Sequence, residues 1–519
     1  MQDSATVPDG PLDLLLPPSL DRAAAVELFA ERLKLDVGAP RKLDRVLLDS
    51  FDGRLRSKGL WAEYPAGRGA AVTLALHEPG APVRRAAVRR GARHLVEELP
   101  AGPVRERLAD VLEERALLPV VRVRSAIQPL AVLDGDAKSV VRMAIERPEA
   151  VLADRTRVPL SPRVAVRRVL GYDRAYARTV KVLRDRLGLE PAGRSLFDEA
   201  ALAAGRDPKG VASKPRIDLE AGMRADEAGR LALKALHGIA EANLPGTLED
   251  LDTEFLHDLR VSIRRARSVL RELDGVFDPD RRQALRDELK WAQQLTGPVR
   301  DLDVQLLEWN ALVAPLPADR VSELAALRAV LARRRARELT RMRRGLRTAR
   351  FTAALRAWES LATDGEGGEL AGEPIESVAG ARIRKVYRRM VRDGSSITDD
   401  SHPEELHDLR KRGKELRYLL ELFGGPFPSD VVKPMVSSLK DLQDVLGRFQ
   451  DRAVQVEALR ELRGELAAEP EGPAALIALG PALDALEADQ AGARAHFAER
   501  FAAFASPEQR KTVRDTFPK

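Results

Sequence analysis

Residues 256–277, LHDLRVSIRRARSVLRELDGVF, and residues 406–427, LHDLRKRGKELRYLLELFGGPF, are two versions of one segment. The displacement is 150 residues (407 minus 257), and it continues beyond the quoted stretches. Leu289, Lys290, Gln293, Gly297, Asp301 and Val304 match Leu439, Lys440, Gln443, Gly447, Asp451 and Val454. A period this long lies outside the usual solenoid range, so it predicts a duplicated helical hairpin or bundle with pseudo-twofold symmetry. At helical spacing, Leu259, Ile263, Ala266, Leu270 and Leu273 share one face, as do Leu409, Leu416, Leu420 and Phe423, and both faces are expected to be buried. His257, Arg260, Arg264, Arg267 and Arg271 lie on the other face of the first copy, and His407, Arg410, Lys414 and Arg417 on that of the second.

Working outward, the periodicity stays helical from about residue 216 almost to the C-terminus. Breaks are expected near Pro245-Gly246, Phe277-Asp278-Pro279, Pro315-Leu316-Pro317, 364–374, 394–403, 424–428 and 469–473, giving roughly eight helices in two antiparallel bundles. Upstream, apolar runs broken by Gly and Pro predict strands at 46–48, 71–76, 118–123 and 139–145. Helices are expected near 23–35, 83–99, 104–117 and 173–187, where Tyr176, Val180, Leu183 and Leu187 recur at helical spacing. The expected organisation is an α+β domain at 1–204, a linker at 205–215 reading GRDPKGVASKP from Gly205, an all-α domain at 216–506 with halves at about 216–360 and 375–506, and a tail at 507–519.

Composition agrees with long exposed helices: 44% of residues are apolar, 32% charged and 4% aromatic. The absence of cysteine excludes disulfides, thiolate metal sites and a cysteine nucleophile. The opening MQDSATVPDGPLDLLLPPSL has no basic n-region or long apolar core, and no apolar run reaches the length of a bilayer. A cytoplasmic protein without a membrane partner is therefore expected. Because 86 basic residues are offset by 80 acidic ones, any electropositive surface must come from local arrangement.

The repeated stripe is such an arrangement. Guanidinium forks and ammonium charges in successive rungs suit a flexible phosphate chain better than a compact single anion. A neutral histidine donates through one ring nitrogen, and a dense anion beside it raises its pKa, so binding is expected to tighten in mild acid. Arg333, Arg337, Arg341, Arg344 and Arg347 form a further stripe, and Lys385, Arg388 and Arg392 another, so four basic faces are expected around one groove or pore. Asp258 and Asp408 read as caps or orienting ion-pair partners, and Asp301 and Asp451 as structural partners of the arginines.

These residues resemble the paired signature of the CHAD family, the conserved histidine α-helical domain, over roughly 215–504. RMRRGLRTARFTAALRAW (341–358) and IRKVYRRMV (383–391) are similar to that family's intermediate helices. The resemblance implies two pseudo-symmetric antiparallel four-helix bundles around a basic central groove that binds inorganic polyphosphate, with association to polyphosphate granules. Carried over, the polyphosphate-binding set is His257, Arg260, Arg264, Arg267, Lys290, Arg341, Arg344, Lys385, Arg388, His407, Arg410, Lys414, Arg417 and Lys440.

More distantly, RVLLDSFDGRLRSKGLWAEY (45–64) and LLPVVRVRSAIQPLAVLDGDAKSVVRMAIE (117–146) resemble the CYTH or triphosphate-tunnel family, which implies an antiparallel β tunnel or barrel with helices. That family opens with an ExExK strand whose carboxylates hold a divalent metal, and nothing in 1–40 fits it. VAVRRVL stands at 164–170 where a later acidic strand is expected, leaving Glu146 alone. The implication is a degenerate tunnel with no catalytic residues, no metal and no cofactor, acting as a folding partner or as a metal-free anion site through Arg122 and Arg124, unless these arginines face outward. Two alternatives remain at this point: a metal-dependent triphosphatase of the tunnel class, and a nucleic-acid-binding protein. Few aromatics for stacking and no recognised groove-reading motif make nucleic acid the less expected partner.

Overall fold

The computed structural model describes residues 12–518 apart from 92, 216 and 366, so the opening residues 1–11 that were read for a targeting signal lie outside it. The chain divides into two compact units, Met1–Ser213 and Lys214–Lys519.

In the first unit, β1 (Leu12–Leu15), β2 (Leu35–Val37), β3 (Arg41–Asp49), β4 (Trp61–Pro65), β5 (Ala71–His77), β6 (Arg84–Arg89), β7 (Leu118–Leu133), β8 (Ser139–Val151), β9 (Arg157–Pro159) and β10 (Arg163–Arg168) form one antiparallel sheet. The strand order is β1-β10-β8-β7-β3-β4-β5-β6, with β2 beside β7 and β9 beside β8. Helices α1 (Arg22–Ala30), α2 (Arg54–Ser57), α3 (Pro103–Leu112), α4 (Asp173–Lys181) and α5 (Leu196–Ala203) accompany it. Phe29 and Tyr176 from α1 and α4 bury against Val141, Ile145 and Val164, whereas Leu108 and Leu112 of α3 bury against Leu74 and Leu76. Phe197 and Ala200 of α5 close over Val121 and Val123.

The helix expected over 83–99 is instead strand β6 followed by a 3-10 turn at Val96–Glu98. Arg, Ala and Val in RRAAVR carry no strong local preference, and pairing decides: Val72 faces Val88 and Leu74 faces Ala86 across the β5–β6 ladder. The intervening turn uses Gly80 at φ 72°, a left-handed conformation that favours glycine.

The second unit is helical throughout: α6 (Ala225–Glu249), α7 (Thr253–Glu272), α8 (Pro279–Leu295), α9 (Gly297–Leu307), α10 (Trp309–Val313), α11 (Ala318–Glu323), α12 (Ala325–Leu346), α13 (Ala349–Thr363), α14 (Ile375–Ser395), α15 (Pro403–Phe423), α16 (Ser429–Glu461), α17 (Arg463–Ala467), α18 (Gly472–Ala495), α19 (Phe497–Phe504) and α20 (Pro507–Thr516). The first residues of α6, α7 and α8 precede those of α14, α15 and α16 by 150 in every case, so the sequence repeat is a repeat of helices. Two apolar clusters hold it, and each draws on both copies. One joins α7 and α15 through Leu259, Ile263, Leu409 and Leu416, and the other joins α12 and α18 through Leu327, Leu331, Leu479 and Leu483. All the α7 and α15 residues expected to be buried are so.

The break expected at Pro245-Gly246 does not occur, because α6 runs through Pro245. Proline removes one helical hydrogen bond, but Gly246 lets the Phe255 ring lie directly on the helix. A Cβ at Gly246 would come within 2.3 Å of that ring. The segment read as a tail, 507–519, is helical through Thr516, with Val513 and Phe517 buried and the Phe517 ring 4.7 Å from that of Phe427. Among the described residues, no helix is long and apolar enough to cross a membrane.

Candidate anion-binding site

The repeated helices pack against each other by their basic flanks. Arg265 Nη2 stands 2.7 Å from Glu421 Oε2, and Arg271 Nη2 stands 3.3 Å from Glu415 Oε2. Positions 265 and 271 correspond to 415 and 421, so these two ion pairs are equivalent under the repeat, with both arginines on α7 and both glutamates on α15. Identical copies would have set arginine against arginine; divergence at these positions makes the crossing complementary. Tyr418 lies between the helices, and the guanidinium carbons of Arg264, Arg265 and Arg417 stand 5.9, 5.5 and 5.7 Å from its ring centre.

A cavity of about 420 Å³ opens beside this crossing. Its walls are Arg264, Arg267, Ser268 and Arg271 from α7, Gln283, Arg286, Asp287 and Lys290 from α8, and Lys411, Lys414, Glu415 and Tyr418 from α15. Seven of these side chains are cationic and two are carboxylates, so the cavity is strongly electropositive. Arg271 is engaged by Glu272 and Glu415, and Lys411 by Asp408 at 2.9 Å. Arg264, Arg267, Lys290 and Lys414 make no ion pair among the described residues.

Burial and the crowding of like charge act together on these groups. Burial drives the Lys414 ammonium down to about 7, and the neighbouring Arg410, Arg264 and Arg417 add to the shift. Cations of both helices therefore converge on one side chain. Burial also lowers Arg267, with Arg271 and Arg286 contributing, and it raises Glu415, whose carboxyl lies beside that of Glu272. Arg264 Nε and the Tyr418 hydroxyl are buried without a hydrogen-bond partner among the described residues. A multivalent anion in the cavity would satisfy such donors and relieve the repulsion.

Four members of the expected set thus meet in one cavity: Arg264, Arg267, Lys290 and Lys414. The others are placed elsewhere. Arg260 Nη1 donates to the Gln293 carbonyl and to the Thr296 hydroxyl, each at 2.8 Å. Thr296 is the junction between α8 and α9, with Pro298 in the first turn of α9, so the guanidinium caps polar groups at the C-terminal end of α8. In the second copy α16 runs unbroken past the equivalent point, and Arg410 pairs with Asp451 at 2.8 Å. Gly297 and Gly447 lie beside these two arginines, whose atoms would stand 3.7 and 3.9 Å from an added Cβ, at ordinary contact distance. Arg260 and Arg410 each tie one helix of the repeat to the next, and of the two aspartates expected as structural partners Asp451 makes the ion pair.

His257 and His407 are half-buried on their helices and do not line the cavity. Burial and Lys411 lower His407, against a hydrogen bond to Gln450 that raises it. Arg417 lies 3.6 Å from Glu421, and Lys440 is exposed on α16. Arg341 and Arg344 are exposed on α12, away from the cavity walls, while Arg333 and Arg337 of the same stripe pair with Glu469 and Glu465. Lys385 and Arg388 line a different groove, between α14 and α20. The four expected basic faces therefore do not share one cavity. Arg286, Lys411 and Tyr418 were not in the expected set. Arg286 was detectable, one helical turn before Lys290; Lys411 and Tyr418 have Val261 and Ser268 as repeat partners, so repetition could not mark them.

In the sheet unit, the arginines singled out as an anion site are matched by a carboxylate. Arg122 and Arg124, expected as a metal-free anion site, both hold Asp44, with Nε atoms 2.7 Å from its oxygens. Arg45 reaches Glu146 at 2.6 Å and Glu63 at 3.5 Å, and the Ser125 hydroxyl donates to Glu146. Among the described residues there is no cluster of three or more His, Asp or Glu placed to hold a metal ion.

The chain is 30% identical over 214 residues to two proteins of Mycobacterium tuberculosis, Uncharacterized protein Rv2226 of strain H37Rv and Uncharacterized protein MT2285 of strain CDC 1551. The match covers 39% of this chain and spans 39% of the length of each relative. Among solved structures, the CHAD domain from the plant Ricinus communis is similar at 24% identity and a TM-score of 0.47, covering 56% of this chain and 96% of that one. PptA from Streptomyces chartreusis is similar at 20% identity and a TM-score of 0.44, covering 54% and 99%. Residues 231–460, from α6 to nearly the end of α16, match the CHAD domain family, and the helical unit of this chain carries a CHAD domain.

Proposed function

We propose that the helical unit binds inorganic polyphosphate, with the α7–α15 cavity as its principal grip. The observation that carries this reading is the set Arg264, Arg267, Lys290 and Lys414, four cations gathered from three helices and left without ion-pair partners among the described residues. In a chain of nearly balanced charge, many arginines pair with a neighbouring carboxylate, and a group of unpaired cations gathered around one cavity, rather than scattered over the surface, marks a place for an external anion. A linear phosphate polymer supplies closely spaced charges and accepts hydrogen bonds from guanidinium and ammonium alike. Such binding would carry the protein to polyphosphate granules. The sheet unit, with its carboxylates held by arginines, acts in this reading as a folding partner without catalysis.

Titration of the full chain with long-chain polyphosphate at low ionic strength tests the assignment. Saturable binding that weakens steeply with salt is expected, by analogy with counterion release from nucleic acids. Absence of binding at low salt, or stronger retention of duplex DNA than of polyphosphate, contradicts it.

A further inference from the structure

A second groove, of about 1060 Å³, lies between α14 and α20. It shares no lining residue with the α7–α15 cavity, whose Glu415 is approached instead by Arg382 of α14. The groove floor is Tyr387, Val391 and Val513. Its walls are Lys385, Arg388, Arg389 and Arg392 from α14, and Arg510 and Arg514 from α20, and no carboxylate lines it. Arg384 fastens the two helices by donating to the carbonyls of Arg514 and Phe517 at 3.2 and 3.0 Å, and the Tyr387 hydroxyl donates to the Phe504 carbonyl at 3.2 Å. The cationic walls are thus held by a fixed frame.

Two observations separate this face from an ordinary solvated helix. First, Lys385, Arg388 and Arg389 make no ion pair among the described residues, while Arg392 and Arg514 pair only with their own neighbours Asp393 and Asp515. Second, the repeat supplies an internal reference. The positions in α6 equivalent to 385, 388, 389 and 392 are Ala235, Gly238, Ile239 and Ala242. The first copy folds and packs with no cation at any of them, so the helix does not need these charges for its structure. They belong to the second copy alone, beside a helix, α20, that lies beyond the residues matching the CHAD family.

We propose that the α14–α20 groove is a second site for phosphate polymer, separate from the α7–α15 cavity, so that a long chain is held at two places on one domain. This rests on the reading of the helical unit as a polyphosphate binder. Two sites on one polymer make the second contact intramolecular, which multiplies affinity for chains long enough to reach both and leaves short chains without the gain.

The test compares long-chain polyphosphate with a short oligophosphate, using the full chain and the double variant Arg388→Glu/Arg514→Glu. Both positions are exposed, and circular dichroism verifies that helicity is retained. The variant should lose long-chain affinity on the order of 100-fold, keep the short oligophosphate bound at the α7–α15 cavity, and show a shallower salt dependence for long chains. Equal long-chain affinity and salt dependence in the two proteins overturns the proposal while leaving the first site standing. Loss of duplex DNA binding in the variant with polyphosphate unaffected also overturns it. If the unmodified chain binds neither phosphate probe, the underlying functional reading fails before the second site is at issue.

Discussion

The duplication creates two related surfaces, one on each side of the α7–α15 crossing, and they have diverged. On the side of Lys290 the wall carries Arg264, Arg267, Arg271, Arg286, Lys411 and Lys414. Three of these cations, with Lys290 itself, fall in the pairs that kept charge in both copies: Arg264 with Lys414, Arg267 with Arg417, and Lys290 with Lys440. Arg271, Arg286 and Lys411 correspond instead to Glu421, Val436 and Val261. One side thus gained cations where the other has an acid or an apolar residue. Of the residues that stayed most alike, Arg260 and Arg410 secure helix to helix, through Gln293 and Thr296 in one copy and through Asp451 in the other. The positions most alike in the two copies secure the fold, and the positions that differ give the two sides unequal charge.

The largest effect should come from weakening each side in turn. Arg267→Glu/Lys290→Glu is expected to lower polyphosphate affinity about 100-fold or more, since each charge-assisted contact contributes roughly 1.5–3 kcal/mol. Arg417→Glu/Lys440→Glu should cost less than about tenfold, because fewer cations support that side. Equal losses, measured by competition titration, would abolish the distinction between the sides.

Next in size is the complementary crossing itself. Arg265 is buried, and burial lowers its pKa despite the opposing charge of Glu421, so the guanidinium depends on that partner. Glu421→Gln should therefore destabilise the helical unit by about 3 kcal/mol, whereas Arg265→Met/Glu421→Met should recover most of the loss. Urea unfolding reads both; a stable single variant would show that the pair does not fix α7 against α15.

A smaller effect is expected from pH. Lys414, held near 7, and Glu415, raised by burial and by Glu272, both line the cavity. Below pH 7 the ammonium is already charged and Glu415 is more protonated, so the cavity is at its most positive. As pH rises through 7, binding must first restore these protons, and affinity should fall by about tenfold per pH unit for each proton taken up. Lys414→Arg, which stays charged, should flatten the profile. The acid-enhanced binding expected from the histidines is thus assigned to a lysine and a glutamate. The smallest effect is predicted for Arg122→Ala/Arg124→Ala in the sheet unit, where both arginines already hold Asp44; polyphosphate affinity should change within about twofold.

Much of this architecture was legible in the sequence for a physical reason. A buried face recurs every three or four residues, and a duplicated one recurs again at a fixed displacement, so the helices around 256–277 and 406–427 and their buried sides announced themselves. Strand β6 did not, since RRAAVR has little preference of its own and is shaped by its partner strand. Pro245 misled because the compensating contact, Phe255 on Gly246, is tertiary. For the site, spacing placed Arg264, Arg267 and Lys414 on the correct faces. It could not reveal that Arg260 caps the end of α8 at Gln293 and Thr296, nor that Arg333 and Arg337 pair with glutamates more than a hundred residues away. Which cations are free depends on where the acids fold.

The most direct measurement is the crystal structure of the chain with a short oligophosphate bound. Phosphate oxygens within hydrogen-bonding distance of Arg267, Lys290 and Lys414 are predicted. Density confined to the exposed Arg341 and Arg344 of α12, with the α7–α15 cavity free of phosphate, would contradict the account.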